Sequence, residues 1–467
     1  MNRIDRLYDR KVGIVGMARS GVAAAELVLE LGGRPFVSDI LPEKNLLEVI
    51  ARLEKKNIPF ECGKHSNRLL ESDYLVLSPG VPASLDIITG ATAAGIPIFS
   101  EIELAFWVCR GRVLAVTGSN GKTTTTTLLG EICKASGRPT VVAGNIGTPF
   151  SEVARQVGED GLAVIEVSSF QLERIEQFAP YVAILLNLTP DHLDRYDSFE
   201  SYCAAKLRIF ENQTAEQFAI LNGDDPVSMK APFPYAGHRL MFSTENQYPD
   251  QSPEGVLKRG ERLSGRLSGN EIDIIEVDKI GIPGPHNHSN AAAASAAALA
   301  CGIDVETIAA VLERFKGVEH RLEDAGKVGG VHFVNDSKGT NVDAVIVAIR
   351  SMTGKVNLIA GGRDKAGDFT RLLPDATGKV EHLIVLGEAK DKIFEQLGRH
   401  IPVVMARSMA DAVRKAYDLS HPGDTVLLSP GCASFDMYGN FEERGRDFKN
   451  LVCRLKNGKG SGATVDA

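Results

Sequence analysis

The chain has 467 residues, enough for roughly three domains at about 150 residues each and too long for one small binding module. Its 43% hydrophobic and 24% charged residues are ordinary for globular proteins and exclude a disordered or low-complexity scaffold. Sixty acidic against 52 basic side chains leave a net charge of −8 and a pI near 5.8, which argues against a nucleic-acid partner or an acidic membrane surface but leaves room for a local phosphate site.

The seven cysteines are scattered and form no CxxC pair, so neither a disulfide framework nor a thiolate zinc site is indicated, and a reducing cytoplasm fits best. The opening MNRIDRLYDR lacks the apolar core of a signal peptide. The alanine-rich run from Ala291 to Ala300 is too short to span a bilayer.

Short Val/Ile/Leu runs ending in Gly, Asp or Ser alternate with helical stretches, the βαβ pattern of parallel sheets covered by helices. The pattern occurs three times. The first series runs from a strand at Lys11 to Val15 through a turn at Gly16 to Gly21 and a helix to Gly32, then returns as Phe36 to Ser38, with Asp39 at its end. The second has a strand at Val113 to Val116, a glycine turn, a helix ending near Gly137, and strands at Leu162 to Val167 and Val182 to Leu186. Gln251 to Glu276 reads as turns and short strands inserted in this middle domain. The third has strands at His332 to Val334, Val356 to Ala360, His382 to Leu386 and Thr425 to Leu428. The expected fold class is α/β in three domains with boundaries near Ser100 and Gly317: a Rossmann-like N-terminal domain over 1–100, a central P-loop ATPase-like domain with a parallel sheet over 101–317, and a Rossmann-like C-terminal domain over 318–467.

The sharpest chemical signal is Val116-Thr117-Gly118-Ser119-Asn120-Gly121-Lys122-Thr123, followed by Thr124, a glycine turn between a strand and a threonine-rich helix. Backbone N–H groups around the two glycines and the helix N-terminus suit phosphate oxygens, Lys122 reaches toward β and γ phosphates, and the Thr123 hydroxyl suits Mg²⁺. The usual P-loop has glycine where Val116 stands, so this is a shortened GxxGKT variant; the plain alternative is a glycine turn that caps a helix. In the first domain Gly13, Gly16 and Gly21 depart from GxGxxG, so NAD is weakly supported. A pyrophosphate near Asp39 and packing glycines are equally open readings there.

Glu166 and His192 follow or end strands of the middle domain, where strand C-termini converge on one crevice, and Lys206 lies on a helical stretch. A carboxylate with Thr123 suits the hard cation Mg²⁺, whereas imidazole is an unusual ligand for it. Taken singly, each of the three is more often a cap, a hydrogen-bonded histidine or a solvated lysine. The later polar motifs GPHNHSN, EHRLE, NDSKGTN and SPGCASFD, taken alone, read mostly as helix caps and turns.

Read together, TGSNGKT, GNIG at Gly144 to Gly147, EVSSFQLE, NLTPDHLDRY, YCAAKLRIF and those four later motifs resemble the Mur ligases along nearly the whole chain. The resemblance implies a three-domain ligase whose domains serve a UDP-sugar substrate, ATP and an incoming amino acid. Its closest likeness is to members that use ATP to add D-glutamate to UDP-N-acetylmuramoyl-L-alanine through an acyl phosphate, in cytoplasmic peptidoglycan precursor synthesis. It assigns Gly118, Ser119, Asn120, Gly121, Lys122, Thr123, Thr124, Asn287, Asn290, Arg321 and Asp336 to ATP, and Thr123 and Glu166 to one Mg²⁺. His192 goes to a second Mg²⁺, with Lys206 as an N6-carboxylated lysine. Ala18, Asp39 and Ser78 fall on the uridine-diphosphate pocket, Asn145 and Ser168 on the substrate side, and Lys338, Thr340, Lys365, Ser434 and Phe441 around D-glutamate. The expectation is a monomer without nucleic-acid or membrane partners.

The nearest alternative is another Mur ligase or a folylpolyglutamate synthase-like ligase sharing the ATP centre. A nicotinamide oxidoreductase lacks its GxGxxG here, and a P-loop switch or motor leaves the third domain unexplained.

Overall fold

A computed structural model of the chain describes residues 6–82, 84–192, 195–231, 236–245, 253–364 and 367–458. It contains three α/β domains, each built on its own sheet. By internal packing the chain forms two compact units, one of Met1–Leu188, Glu200–Ile280 and Asn287–Phe315, the other of Thr189–Phe199, Gly281–His286 and Lys316–Ala467. Among the described residues no helix is long and apolar enough to cross a membrane.

The first unit carries two sheets. Strands β1 (Lys11–Val15), β2 (Arg34–Asp39), β3 (Phe60–Cys62), β4 (Tyr74–Leu77) and β5 (Ile98–Ser100) form a parallel sheet in the order β3-β2-β1-β4-β5. Four consecutive residues of β1 are buried, as expected of a strand covered by helices on both faces. The helix Arg19–Glu30 then starts at the carboxyl end of β1, where the strand order reverses. Gly21 is required there, because a side chain would overlap the Gly16 carbonyl oxygen.

The second sheet of this unit has nine strands: β6 (Arg112–Thr117), β7 (Thr140–Gly144), β8 (Leu162–Glu166), β9 (Val182–Leu185), β10 (Phe218–Asn222), β11 (His238–Ser243), β12 (Gly255–Arg259), β13 (Arg262–Leu267) and β14 (Asn270–Glu276). Their order is β14-β13-β12-β11-β10-β9-β6-β8-β7. From β12 to β7 neighbouring strands run parallel, and β12, β13 and β14 close the far edge as antiparallel hairpins. The segment expected to hold turns and short strands thus lengthens the central sheet, although Gln251 and Ser252 lie outside the described residues. The helix Pro285–Ala300 buries its whole alanine run, so that run serves as a core helix of the domain.

The second unit holds β15 (Glu323–Val328), β16 (Val331–Asn335), β17 (Val356–Gly361), β18 (Val380–Leu386), β19 (Val403–Met405) and β20 (Thr425–Leu428), ordered β15-β16-β20-β17-β18-β19. All pairs are parallel except β15 with β16. Separate apolar clusters cover the two faces, one including Val345, Ile349 and Leu427, the other Phe333, Val426 and Phe448.

Candidate functional site

Strand register assembles the first site. Val116 of β6 lies opposite Glu166 of β8, and Gly144 of β7 lies opposite Glu166 on its other side. The residues that follow these three strand ends therefore emerge together. Thr123, at the start of the helix Lys122–Ala135, places its hydroxyl 2.7 Å from Glu166 Oε2, and Asn145 Nδ2 donates to Glu166 Oε1 at 3.0 Å. Thr123 and Glu166 are both buried.

The glycine loop is held from two sides. Asn187, just beyond β9, accepts from Ser119 N through its carbonyl at 2.9 Å and from Asn120 N through Oδ1 at 2.8 Å, while its Nδ2 donates to Asn120 O at 3.1 Å. Gly121 sits at φ +85° as the helix N-cap, and a Cβ there would lie 2.5 Å from Asn290 Oδ1, so the loop accepts only glycine at that point. Asn290 in turn accepts from Thr125 Oγ1 at 3.2 Å and donates to Asn287 Oδ1 at 3.3 Å. The Ser119 hydroxyl pairs with Tyr202 at 2.9 Å. Two loop N–H groups are thus committed to Asn187, and the first turn of the helix supplies the N–H groups suited to an anion.

Two lysines converge on this loop. Lys122 Nζ donates to the Gly118 and Ser119 carbonyls at 2.7 and 2.8 Å, and Lys206 Nζ, 2% exposed, donates to the same Gly118 oxygen at 2.9 Å. Two ammonium groups on one carbonyl make a strongly cationic point, suited to phosphate. The aromatic face of Tyr202 lies 4.8 Å from Lys206 Nζ.

The remaining positions in this unit are more committed to structure than the sequence suggested. Ser168 is the N-cap of the short helix Ser169–Leu172, in a reciprocal capping box with Gln171. Asp39 accepts from Met17 N at 2.6 Å and from Leu41 N at 2.8 Å, so its carboxylate shapes the turn after β1. Ser78 donates to Gly16 O at 3.1 Å. Ala18 is the N-cap of Arg19–Glu30 without a side-chain cap, which leaves that helix start to its backbone donors. Arg19 Nη1 donates to Gly147 O at 3.1 Å, joining this helix start to the GNIG loop.

In the second unit Asn335 pairs with Leu428, so Asp336 and Ser429 leave adjacent strand ends side by side. Ser429 Oγ donates to Asp336 Oδ2 at 2.8 Å, Leu322 N to Oδ1 at 3.3 Å, and the Arg321 guanidinium lies 3.6 Å away. Burial pushes the Asp336 carboxyl up to about 6, against the pull of Arg321 and its hydrogen bonds. Lys338 Nζ lies 4.5 Å from the centre of the Phe441 ring, Ser434 is 2% exposed, and Thr340 is half-buried in the same loop as Lys338. Lys365 lies outside the described residues. His192 adopts φ +55°, and its N–H donates to Asp191 Oδ1 at 3.0 Å; Asp191 Oδ2 accepts from Asn341 Nδ2 at 3.0 Å. Glu166, Thr123, Lys122, Lys206, Asn145, Asn287 and Asn290 thus belong to the first unit, and His192, Arg321, Asp336, Lys338, Thr340, Ser434 and Phe441 to the second.

Two residues given no role at the sequence level stand out. Asn187 opens NLTPDHLDRY, and only its three bonds to the loop reveal its task. Arg444, 1% exposed, ties NDSKGTN to SPGCASFD through Ser337 and Cys432. No local sequence signal marks it.

Three family models match in succession: the Mur ligase MurD-like N-terminal domain over residues 10–100, the Mur ligase middle domain over 116–298, and the Mur ligase glutamate ligase domain over 320–432. The UDP-N-acetylmuramoylalanine–D-glutamate ligase of Alkaliphilus metalliredigens is 44% identical over 455 residues, covering 96% of this chain and 99% of that protein. That of Geotalea uraniireducens is 42% identical, with 97% and 99% covered. Among solved structures, the UDP-N-acetylmuramate-alanine ligase MurC of Thermotoga maritima aligns with a TM-score of 0.59 at 20% identity over 96% of this chain and 100% of that one, a likeness of fold. The MurF ligase of the same organism, solved in complex with ADP, aligns at 0.57 and 17% identity over 90% and 95%.

Removing the Asn187 side chain should loosen the loop without unfolding the domain. Asn187→Ala is expected to raise the KM for ATP by about thirtyfold, the effect of two lost hydrogen bonds at roughly 1 kcal/mol each, with an unchanged circular-dichroism spectrum. Unaltered ATP kinetics would show that the loop holds its shape without Asn187.

Proposed function

The chain belongs to the Mur ligase family, and from that premise we propose that it joins D-glutamate to UDP-N-acetylmuramoyl-L-alanine at the expense of ATP, in cytoplasmic assembly of peptidoglycan precursors. The observation that carries this reading is agreement across nearly the full chain with relatives named for that reaction. The buried, cationic phosphate loop supports its first half. ATP phosphorylates the substrate carboxylate, and the amine of D-glutamate attacks the acyl phosphate, giving an amide, ADP and phosphate.

Phosphoryl transfer between two anions is limited by their repulsion, so positioning and charge do most of the work. In this reading Lys122 leaves the loop carbonyls for the phosphates, the N–H groups of Lys122 to Thr124 hold oxygens, and Asn287, Asn290, Arg321 and Asp336 bind the rest of the nucleotide. The chemistry of the Thr123–Glu166 pair fits Mg²⁺: a hydroxyl and a carboxylate, both buried and 2.7 Å apart, are hard oxygen donors. Bound there, Mg²⁺ would offset phosphate charge. Carbamylation of Lys206 would remove the second cation from the Gly118 oxygen and create a carboxylate-like ligand, which with His192 is assigned to a second Mg²⁺. Ala18, Asp39 and Ser78 belong to the uridine-diphosphate pocket, Asn145 and Ser168 to the substrate side, and Lys338, Thr340, Lys365, Ser434 and Phe441 to D-glutamate. The enzyme acts as a monomer.

The direct test is phosphate release from ATP with UDP-N-acetylmuramoyl-L-alanine and a panel of D- and L-amino acids. D-Glutamate alone should support rapid release, because a neutral competitor leaves the cationic donors unpaired and the L-isomer misdirects its carboxylates. Release driven by another amino acid, or by a folate acceptor, would transfer the chain to a different ligase specificity.

Asp336 supplies a pH test of the nucleotide assignment. Its carboxyl holds a proton below about 6 and is anionic above, and only the anion accepts from ribose hydroxyls at both oxygens. Affinity contributed by this group therefore appears as pH rises through 6. The KM for ATP should fall by about tenfold between pH 5 and pH 7 relative to that of Asp336→Asn, which shares the titration of ATP itself. Parallel profiles for the two proteins would remove Asp336 from the nucleotide site.

A further inference from the structure

The second unit contains a buried cation that the proposed chemistry leaves without a role. Arg444 lies in the first turn of the helix Phe441–Gly458 and is 1% exposed. Its Nη2 donates to Ser337 O at 2.8 Å, its Nε to Ser337 Oγ at 3.0 Å, and Nη1 and Nη2 both reach Cys432 O at 3.2 Å. Ser337 Oγ donates onward to Phe441 O at 2.8 Å, closing a ring of bonds between two loops and the helix start. The fit is tight, since a Cβ on Gly362 would lie 3.2 Å from Nη1.

Every one of these partners is neutral. Among the described residues no carboxylate lies within ion-pair distance of the guanidinium; Asp336 and Asp436 compensate it only from farther away. Burial lowers its pKa to about 10, so it stays charged at neutral pH. A buried charge held only by carbonyls and a hydroxyl is costly. Ser337 adjoins Lys338, and Cys432 is two residues before Ser434, so the fork of Arg444 fixes the separation of the two loops that carry those side chains.

We propose that Arg444 is a positioning residue of the amino-acid site: it locks the Asn335–Asn341 and Ser429–Asp436 loops at the spacing needed to grip a dicarboxylate amino acid, and its unpaired charge favours that anion over a neutral analogue. This rests on the D-glutamate reading above. It adds that selectivity for the second negative charge comes partly from a residue that does not touch the ligand.

The test compares wild type, Arg444→Lys, Arg444→Met and Ser337→Ala in steady-state turnover, varying D-glutamate, D-glutamine and ATP separately. Absence of D-glutamate turnover in the wild type would refute the functional reading itself, independently of Arg444. Given wild-type turnover, Arg444→Met should raise the KM for D-glutamate by about tenfold or more, with the KM for ATP within about twofold, and should narrow the preference for D-glutamate over D-glutamine. Arg444→Lys should keep that preference while still raising the KM, because it retains the charge and loses the fork. Ser337→Ala, which removes the hydroxyl that accepts from Arg444 Nε and donates to Phe441 O, should shift the D-glutamate KM in the same direction by less, and it carries the test if Arg444→Met does not fold. Equal changes in the KM for ATP and D-glutamate in Arg444→Met or Ser337→Ala, or an unchanged ratio of D-glutamate to D-glutamine use in Arg444→Met, would overturn the proposal.

Discussion

The conformation of the loop from Gly118 to Thr123 is the constraint on which the catalytic reading depends. A glycine loop is entropically expensive to order, and a phosphate site built on backbone N–H groups works only if that order exists before the nucleotide arrives. Here the protein supplies the order internally. Asn187 closes one side of the loop with three hydrogen bonds, and Asn290 presses on Gly121 from the other. The helix start is thereby aimed, and Thr123 is carried against Glu166. Parallel register does the rest, since Val116, Glu166 and Gly144 lie in one row across β6, β8 and β7.

A second theme is buried charge satisfied by backbone. Lys206 donates a hydrogen bond to a loop carbonyl, and Arg444 divides its fork between two loop carbonyls and a serine. In both places the cation lies behind a loop that presents polar groups to a ligand. At Arg444 the neutral partners hold the cation in place but do not cancel its field, so the site in front remains attractive to anions. A dicarboxylate is the ligand such a field would favour.

The fold was largely legible because parallel strands buried on both faces read as continuous apolar runs. Strands placed at Lys11 to Val15 and Thr425 to Leu428 match the observed β1 and β20 to the residue. The glycine loop was legible through its spacing, and its partner Glu166 through the strand end that carries it. Capping was harder to anticipate: Ser168 accepts from Gln171 N, and Asp39 accepts from Leu41 N and from Met17 N, 22 residues before it. Asn187 and Arg444 were not legible as functional, because their significance lies in contacts with residues 67 and 107 positions away. No local pattern encodes such pairs; they follow from which strand ends the sheet order brings together.

The central claim is that the chain activates a carboxylate by phosphorylating it. Transfer of oxygen is the most direct record of that event: in an acyl-phosphate route the carboxylate oxygen that attacks ATP leaves with the phosphate when the amine displaces it. UDP-N-acetylmuramoyl-L-alanine labelled with ¹⁸O in its carboxylate should therefore yield labelled inorganic phosphate in step with D-glutamate consumption, read by mass spectrometry or by the isotope shift in ³¹P NMR. Phosphate released without label during amide formation would contradict the account, because it would mean that ATP is cleaved by water and the carboxylate is activated in some other way.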